Sequence, residues 1–143
     1  MAFSIELLHE PGSDVESRTL GVITIGSYVE RFFAATEYWD IPRYGYHWRQ
    51  AITRIIQGSV RSALITSMYD PAVANFIYWW PMYRIGDTVK FQNHILFLNE
   101  LKTPFDPTDP YRFVPERMII NNDGEKISEW SASMSDLERF LSN

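Results

Sequence analysis

The sequence contains no cysteine. Disulfides, thiolate nucleophiles and cysteine-based metal sites are therefore excluded, and a reducing compartment such as the cytoplasm suits the chain. It also has no apolar run of about 18 residues, the length that a membrane-spanning helix needs. The first fourteen residues lack the basic start and the long apolar centre of a secretory signal. We therefore expect a cytoplasmic protein with no membrane partner.

Recognisable catalytic and metal-binding motifs are missing as well. The three histidines, His9, His47 and His94, are far apart and share no metal-ligand spacing. There is no Gly-x-Ser-x-Gly elbow, no glycine-rich phosphate loop and no His-Glu-x-x-His motif. His94 could act as a base, but a surface or structural histidine is the favoured interpretation. We predict no catalytic residue, no metal and no cofactor, and an enzyme of unrecognised type stays open only as the least favoured function.

Positive charge is scarce, and its distribution is uneven. The net charge of −5 divides into −5 for residues 1–40, +4 for residues 41–97 and −4 for residues 98–143. Acidic ends around a mildly basic middle disfavour a general nucleic-acid binder, which usually presents a basic field. They suit a basic protein partner, because opposite fields speed association. A solvated acidic surface without a partner is the alternative.

Aromatic residues are abundant, and many lie in a stretch from Ser62 to Leu98 that reads as three consecutive strands. Thr88–Phe97 alternates apolar and polar residues, as a half-buried strand does. Gly86 and Asp87 precede it and suit a two-residue hairpin turn. The register that follows places four pairs on one strongly apolar face, which we assign to the core: Met82 with Phe91, Trp80 with Asn93, Tyr78 with Ile95, and Phe76 with Phe97.

The opposite face of this hairpin mixes aromatic and polar residues. It carries Ile77, Trp79, Pro81 and Tyr83 against Leu96, His94, Gln92 and Lys90. Two interpretations remain open. Either the C-terminal segments cover this face, or it is an exposed aromatic platform for a partner or for single-stranded nucleic acid, whose bases stack on such rings.

With the remaining segments included, the chain is predicted to form strands, then a helix, then further strands and a final helix. Strands are expected at 3–8, 19–25 and 28–35, the last with helix as the alternative. Asp40 is a good N-cap for a helix that ends before Gly58. On that helix Arg43, Arg49 and Arg54 lie off the apolar stripe, as a solvated face or, less favoured, as phosphate contacts. Strands at 118–120 and 126–130 bracket a hairpin turn, and a short closing helix follows Ser133.

We therefore predict an α+β fold, a single domain over residues 1–143, with antiparallel sheets, a central helix and a C-terminal helix. In this order and spacing, several segments resemble the immunity proteins of bacterial contact-dependent growth inhibition systems. The resemblance is greatest to the enterobacterial type that is paired with a ribosomal-RNA-cleaving toxin domain. It rests on residues 37–41, 62–64, 67–71, 75–77, 92–100 and 123–130.

The resemblance implies a cytoplasmic, non-catalytic protein with a Whirly-like fold. Such a protein binds the C-terminal toxin domain delivered by a neighbouring cell and blocks it. The Whirly fold is that of single-stranded-DNA-binding proteins, but fold alone does not carry function, and the acidic ends oppose DNA binding. A single-stranded nucleic-acid-binding module that uses the aromatic sheet face is the alternative function.

A ribonuclease must attract phosphate and so tends to be basic, which makes acids the best candidates for the toxin-binding surface. Because immunity proteins discriminate among toxins, the shared segments are expected to report the fold, and we assign Tyr38, Trp39 and Trp130 to the core. The predicted toxin-binding residues are Glu10, Asp14, Glu16, Glu30, Glu37 and Asp40.

Overall fold

The computed structural model describes residues 2–8 and 17–143, together with the backbone of residues 14–15. Within these residues, nine strands and two helices follow one another in the predicted order of strands, helix, strands, helix. They are β1 (Phe3–Leu7), β2 (Asp14–Val15), β3 (Arg18–Ile25), β4 (Tyr28–Ala35), α1 (Ile41–Ile56), β5 (Arg61–Ser67), β6 (Phe76–Ile85), β7 (Thr88–Phe91), β8 (His94–Phe97), β9 (Trp130–Ser133) and α2 (Met134–Ser142). Short 3-10 turns span Leu98–Glu100 and Pro110–Phe113. The predicted α+β class with antiparallel sheets is confirmed.

The first sheet is built around β3. Strands β1 and β2 pair with one side of β3, and β4 pairs with the other side along its whole length. Residues 28–35 therefore form a strand, as preferred over a helix. The β3–β4 hairpin turns at Gly26, whose φ of +64° is a conformation that glycine adopts without steric cost.

The second sheet has the order β5-β6-β7-β9, and β8 also pairs with β6. The predicted Gly86-Asp87 hairpin and three of its four pairs are present, with Met82 opposite Phe91. The fourth pair is absent from both ladders, because the predicted strand is divided at Gln92 and Asn93 into β7 and β8. Gln92 N donates to Pro81 O at 3.0 Å. Pro81 has no N–H to return that bond, which explains the break.

Helix α1 begins and ends where its sequence predicts. Asp40 caps it by accepting a hydrogen bond from Arg43 N at 2.9 Å. Gly58, with φ +116°, follows its last turn. The buried stripe comprises Tyr44, His47, Trp48, Ala51, Ile52 and Ile55. This stripe lies against the outer edge of β5, where Trp48 Nε1 donates to Ile65 O at 2.7 Å.

The two sheets pack against each other through aromatic pairs. Phe3 of β1 stacks on Phe91 of β7, with ring centroids 5.3 Å apart, and Tyr28 of β4 stacks on Trp130 of β9 at 4.4 Å. Phe3 also meets Phe140 of α2 edge to face. The C-terminal helix therefore closes the same core that the two sheets enclose.

The mixed face of β6 is covered by the chain that follows β8. Trp79 is 1% exposed and meets Phe105 edge to face. The Tyr83 hydroxyl donates to Pro115 O at 3.0 Å, and Gln92 Nε2 donates to Met118 O at 2.9 Å. Of the two interpretations of this face, coverage by C-terminal segments is the correct one.

The opposite, apolar face of this hairpin is predicted to lie wholly in the core. This prediction is wrong for the distal half of the face, which lies farthest from the Gly86-Asp87 turn. Met82, Trp80 and Phe91 are buried, but the exposed fractions reach 36–47% in a distal patch that comprises Phe76, Tyr78, Ile95 and Phe97. Alternation reports that a strand face is apolar, but not how far the opposing sheet extends over it.

The strands predicted at 118–120 and 126–130 are also largely wrong. Only the pair Ile120–Lys126 forms a bridge, and β9 begins at Trp130. The turn itself is present, since Asn121 Oδ1 accepts from the backbone of Asp123 and Glu125, both at 2.9 Å. The flanks are exposed, so no neighbouring strand extends their pairing. The closing helix predicted after Ser133 is confirmed as α2, which begins with a capping box between Ser133 and Asp136.

Candidate functional site

A cleft of about 1060 Å³ opens where β4 of the first sheet diverges from β5 and β6 of the second. Ser67 joins the two sheets at one end of it, because its hydroxyl accepts a hydrogen bond from Ala35 N at 3.0 Å. The cleft is lined by residues of β3, β4, the β4–α1 turn, the end of β5, the 69–74 turn and β6, and by Asn93. Part of the cleft wall is therefore formed by the apolar face of β6, including its distal, exposed half.

The walls of the cleft are aromatic. Phe32 and Phe33 line one side, and Tyr78 and Trp80 line the other. Trp80 is 1% exposed and belongs to the core, whereas Phe33 is 44% and Tyr38 43% exposed at the opening. Such rings offer a large contact area to a partner at little conformational cost.

The charges on the cleft are mostly negative. Among the described residues, Glu30, Glu37 and Asp70 line it, with Arg18 as the one basic residue. The Arg18 guanidinium carbon lies 4.5 Å from the ring centroid of Phe33, so this cation is stacked on the wall. A cleft with three carboxylates and one arginine attracts cations and repels phosphates.

Glu30 is held in a fixed position by two neutral donors. The Tyr28 hydroxyl donates to Oε1 at 2.5 Å, and Asn93 Nδ2 donates to Oε2 at 3.0 Å. The hydrogen bond to Glu30, together with burial, raises the pKa of Tyr28 to about 12, so the phenol remains a donor at neutral pH. Glu30 is half-buried, and this arrangement orients its carboxylate before any partner arrives.

The distal patch continues the apolar surface beyond the cleft. Tyr78 belongs to both, and Phe76 connects it to Tyr69 through edge-to-face contacts with centroids 5.5 and 5.6 Å apart. Contiguous exposed apolar surface of this kind marks interaction sites more often than it occurs by chance on a monomer. The cleft and the distal patch together are the candidate site.

Two of the six acids predicted to bind a partner lie in this cleft, Glu30 and Glu37. Asp40 does not, because it caps α1 and lines a separate shallow depression beside Arg43. Glu10 and Glu16 and the side chain of Asp14 lie outside the described residues.

Three aromatic residues were assigned to the core. The assignment to the core is confirmed for Trp39, which is 5% exposed. It is wrong for Tyr38, which is exposed and lines the cleft. Trp130 is half-buried and packs between Tyr28 and Trp80. Tyr38 differs from Trp39 because the turn after β4 directs consecutive side chains to opposite sides.

Sequence reasoning missed Asp70, Phe33 and Tyr78. Asp70 lies within the stretch 41–97, which is basic on average, so the charge distribution along the sequence did not select it. Its Oδ1 accepts from Ala72 N at 2.9 Å, the Asx-turn geometry that favours Asp at this place. No local pattern indicates that Phe33 and Tyr78 share a cleft, because they come from different sheets.

The two described histidines have structural surroundings. His47 is buried and accepts a hydrogen bond from Ile65 N, whereas His94 Nε2 lies 2.7 Å from Gln92 Oε1. Within the described ranges, no three histidine or carboxylate side chains gather closely enough to hold a metal ion. Neither α1 nor α2, the helices of the described chain, combines the length and apolar character that crossing a bilayer requires.

Comparison with known proteins decides the family. The sequence model of the CdiI N-terminal domain matches residues 34–140. The chain belongs to the CdiI immunity-protein family. The immunity protein CdiI of Enterobacter cloacae subsp. cloacae is 34% identical over 118 residues, which cover 82% of this chain and 81% of that protein.

A solved structure extends this relationship to nearly the whole fold. A chain of the CdiA-CT/CdiI toxin and immunity complex from Enterobacter cloacae superposes with a TM-score of 0.87 at 32% identity. The match covers 98% of this CdiI chain and 96% of the other chain. The resemblance noted in the sequence is therefore confirmed at the level of the family.

Proposed function

We propose that this CdiI protein binds the C-terminal nuclease domain of a cognate CdiA-type toxin, neutralises it and so protects the cell that produces both. The observation that carries this proposal is the similarity to a chain of a CdiA-CT/CdiI complex over 98% of the sequence. The proposed partner is a basic ribonuclease domain of the kind that cleaves ribosomal RNA. The protein would act in the cytoplasm, where such RNA is found, as a stoichiometric inhibitor without a catalytic step.

Electrostatics support a basic partner. The chain has a net charge of −5, and the cleft is lined by three carboxylates and one arginine. A nuclease needs a positive surface to hold phosphate, so opposite fields would steer the two proteins together. The same negative charge disfavours single-stranded nucleic acid as the ligand, since phosphate binding relies on lysine and arginine. We keep Glu10, Asp14, Glu16, Glu30, Glu37 and Asp40 as the proposed acidic surface.

The test is protection of cells together with capture of the partner. The cognate toxin domain, identified by the capture experiment described next, is induced in a laboratory strain with and without this protein, and growth and ribosomal RNA integrity are followed. We expect arrest with cleaved RNA in its absence, and normal growth with intact RNA in its presence. A non-cognate immunity protein of similar charge is the control.

Capture from the lysate of the producing bacterium separates the two candidate functions. At about 0.15 M salt the tagged protein should retain one stoichiometric C-terminal fragment of a large surface protein. Retention of nucleic acid that washes off at high salt, without such a fragment, would overturn the immunity proposal in favour of single-strand binding.

A further inference from the structure

We propose that the cleft between β4 and β6 receives a cationic side chain of the toxin domain, an arginine or lysine, on the carboxylate of Glu30. Glu37 and Asp70 guide its approach from the rim, and the distal patch contacts the apolar residues that flank it. This inference rests on the proposed function, because the toxin domain is the occupant to which it commits.

Glu30 has the properties of an anchor. Its two hydrogen bonds come from a phenol and an amide, and none of the ion pairs formed by the described residues includes it. A carboxylate offers about four lone-pair positions, so two remain for a guanidinium or an ammonium group. Because the side chain is already ordered, little rotamer entropy is lost when the cation arrives.

The aromatic walls suit the flat faces of a guanidinium group. Phe32 lies two residues from Glu30, on the same face of β4, and Tyr78 of β6 also lines the cleft. Cations are attracted to ring faces, and arginine stacks on them especially well. The chain already contains one such contact at this site, between Arg18 and Phe33. A second cation could therefore be held by charge and by stacking at once.

The size of the site indicates a polypeptide rather than a small molecule. A cleft of about 1060 Å³ lies at the upper limit of small-ligand pockets, and exposed residues such as Val73 leave it open to solvent. The distal patch extends the apolar contact area beyond its opening. The half-buried carboxylate of Glu30 would become desolvated on binding, and an anchor of that kind beside apolar contacts and a charged rim is the usual anatomy of a tight protein interface.

The decisive variant is Glu30→Gln, which keeps the shape and one acceptor oxygen but removes the charge. The toxin domain is purified with the protein, separated under denaturing conditions and refolded for kinetic binding measurements. We expect Glu30→Gln to bind about 10- to 100-fold more weakly, mainly through faster dissociation. Glu138→Gln, an exposed acid on α2, is the matched control and should stay within about twofold of wild type.

Separate variants test the acidic rim of the cleft and the distal patch. Glu37→Gln should slow association at low salt, and its effect should disappear at about 0.5 M salt. Tyr78→Ala should weaken binding about tenfold, whereas Ile119→Ala should not, although Ile119, beside the 121–125 turn, is the more exposed apolar residue. Thermal unfolding identifies any variant whose loss comes from misfolding, and Glu37→Gln, in an exposed turn, leaves the fold undisturbed.

The outcomes distinguish this inference from the function on which it rests. If wild-type protein binds the toxin and Glu30→Gln binds equally well, the anchor is refuted while the immunity function stands. The same follows if Glu138→Gln weakens binding as much as Glu30→Gln, since bulk charge would then explain both. If wild-type protein does not bind the toxin domain, the inference and the proposed function are both overturned.

Discussion

His47 makes the stability of this protein depend on pH in a way that can be predicted from its position. The side chain is 2% exposed, and its Nε2 accepts the backbone N–H of Ile65 at 2.8 Å. Trp48 of the same helix donates to the carbonyl of Ile65. Two side chains of α1 thus pair the outward-facing backbone groups of β5, a strand edge that would otherwise remain open.

This arrangement requires a neutral imidazole. Burial, with a smaller contribution from the charge of Arg43, lowers the pKa of His47 to about 3, from an ordinary value of about 6.5. Between these two values the unfolded chain binds a proton that the native protein excludes. The free energy of unfolding therefore falls as the pH falls through this window, by up to about 1.4 kcal/mol for each pH unit.

The expected loss from His47 between pH 7 and pH 5 is about 2 kcal/mol, since the upper 1.5 or so pH units of the window lie within that range and each costs about 1.4 kcal/mol. It is measured by urea unfolding of wild type and His47→Gln at both pH values. The variant should be less stable at pH 7, by about 1–3 kcal/mol, because the buried imidazole ring that packs against Trp39 and Tyr111 is replaced by a flexible side chain. Its further loss on going to pH 5 should be about 2 kcal/mol smaller than that of wild type.

His94→Gln is the control, because burial also lowers the pKa of His94 and contributes in the same direction. Keeping the pH at 5 or above avoids the carboxylates Glu129 and Asp136, whose pKa values are lowered by their hydrogen bonds. Equal pH dependence in wild type and His47→Gln would refute the reasoning. So would an imidazole NMR signal of His47 that titrates near pH 6.5.

Three further predictions concern the free energy of unfolding, which is measured by urea unfolding at pH 7. Gly45→Ala should stabilise the protein by about 0.5–1 kcal/mol, because a Cβ there meets nothing within 4 Å and alanine favours the helix. Gly21→Ala should destabilise it by about 1–3 kcal/mol, since its Cβ would lie 2.5 Å from the ring of Phe32; equal effects at the two glycines would contradict both predictions. Asp40→Ala should cost about 1 kcal/mol by removing the cap on Arg43 N, whereas Asp40→Asn, which keeps a capping oxygen, should cost only a few tenths.

The elements that could be predicted from the sequence are those decided by nearby residues. Gly86 adopts φ +63° and gives the hairpin its register. Asp40 and Gly58 limit α1, and Ser133 limits α2. In each case one or two residues determine the backbone conformation, so no knowledge of the tertiary fold is needed.

The candidate site could be predicted only in part, because it depends on where two sheets separate. Glu30 was selected for its charge, but its hydrogen bond to Asn93 joins residues 63 positions apart. The apolar alternation of β6 is predicted correctly, yet Trp80 is buried and packs on Trp130, whereas Tyr78 on the same face is 39% exposed. Which part of a strand face is covered depends on tertiary packing, and the hydrophobic periodicity of the sequence does not predict it.

The basic middle of the sequence shows that the net charge of a segment does not give the charge of the surface that its residues form in the folded protein. On α1, Arg43 lies over the ring of Trp39 and Arg54 over that of Tyr111, while Arg49 Nη2 donates to Leu141 O at 2.6 Å. These cations are engaged with rings and a carbonyl of the protein itself, and a row of phosphates would have to displace those contacts. Asp70, from the same basic stretch, lines the cleft with Glu30 and Glu37. The charge that the cleft presents is therefore negative, and a cation is the complementary ligand.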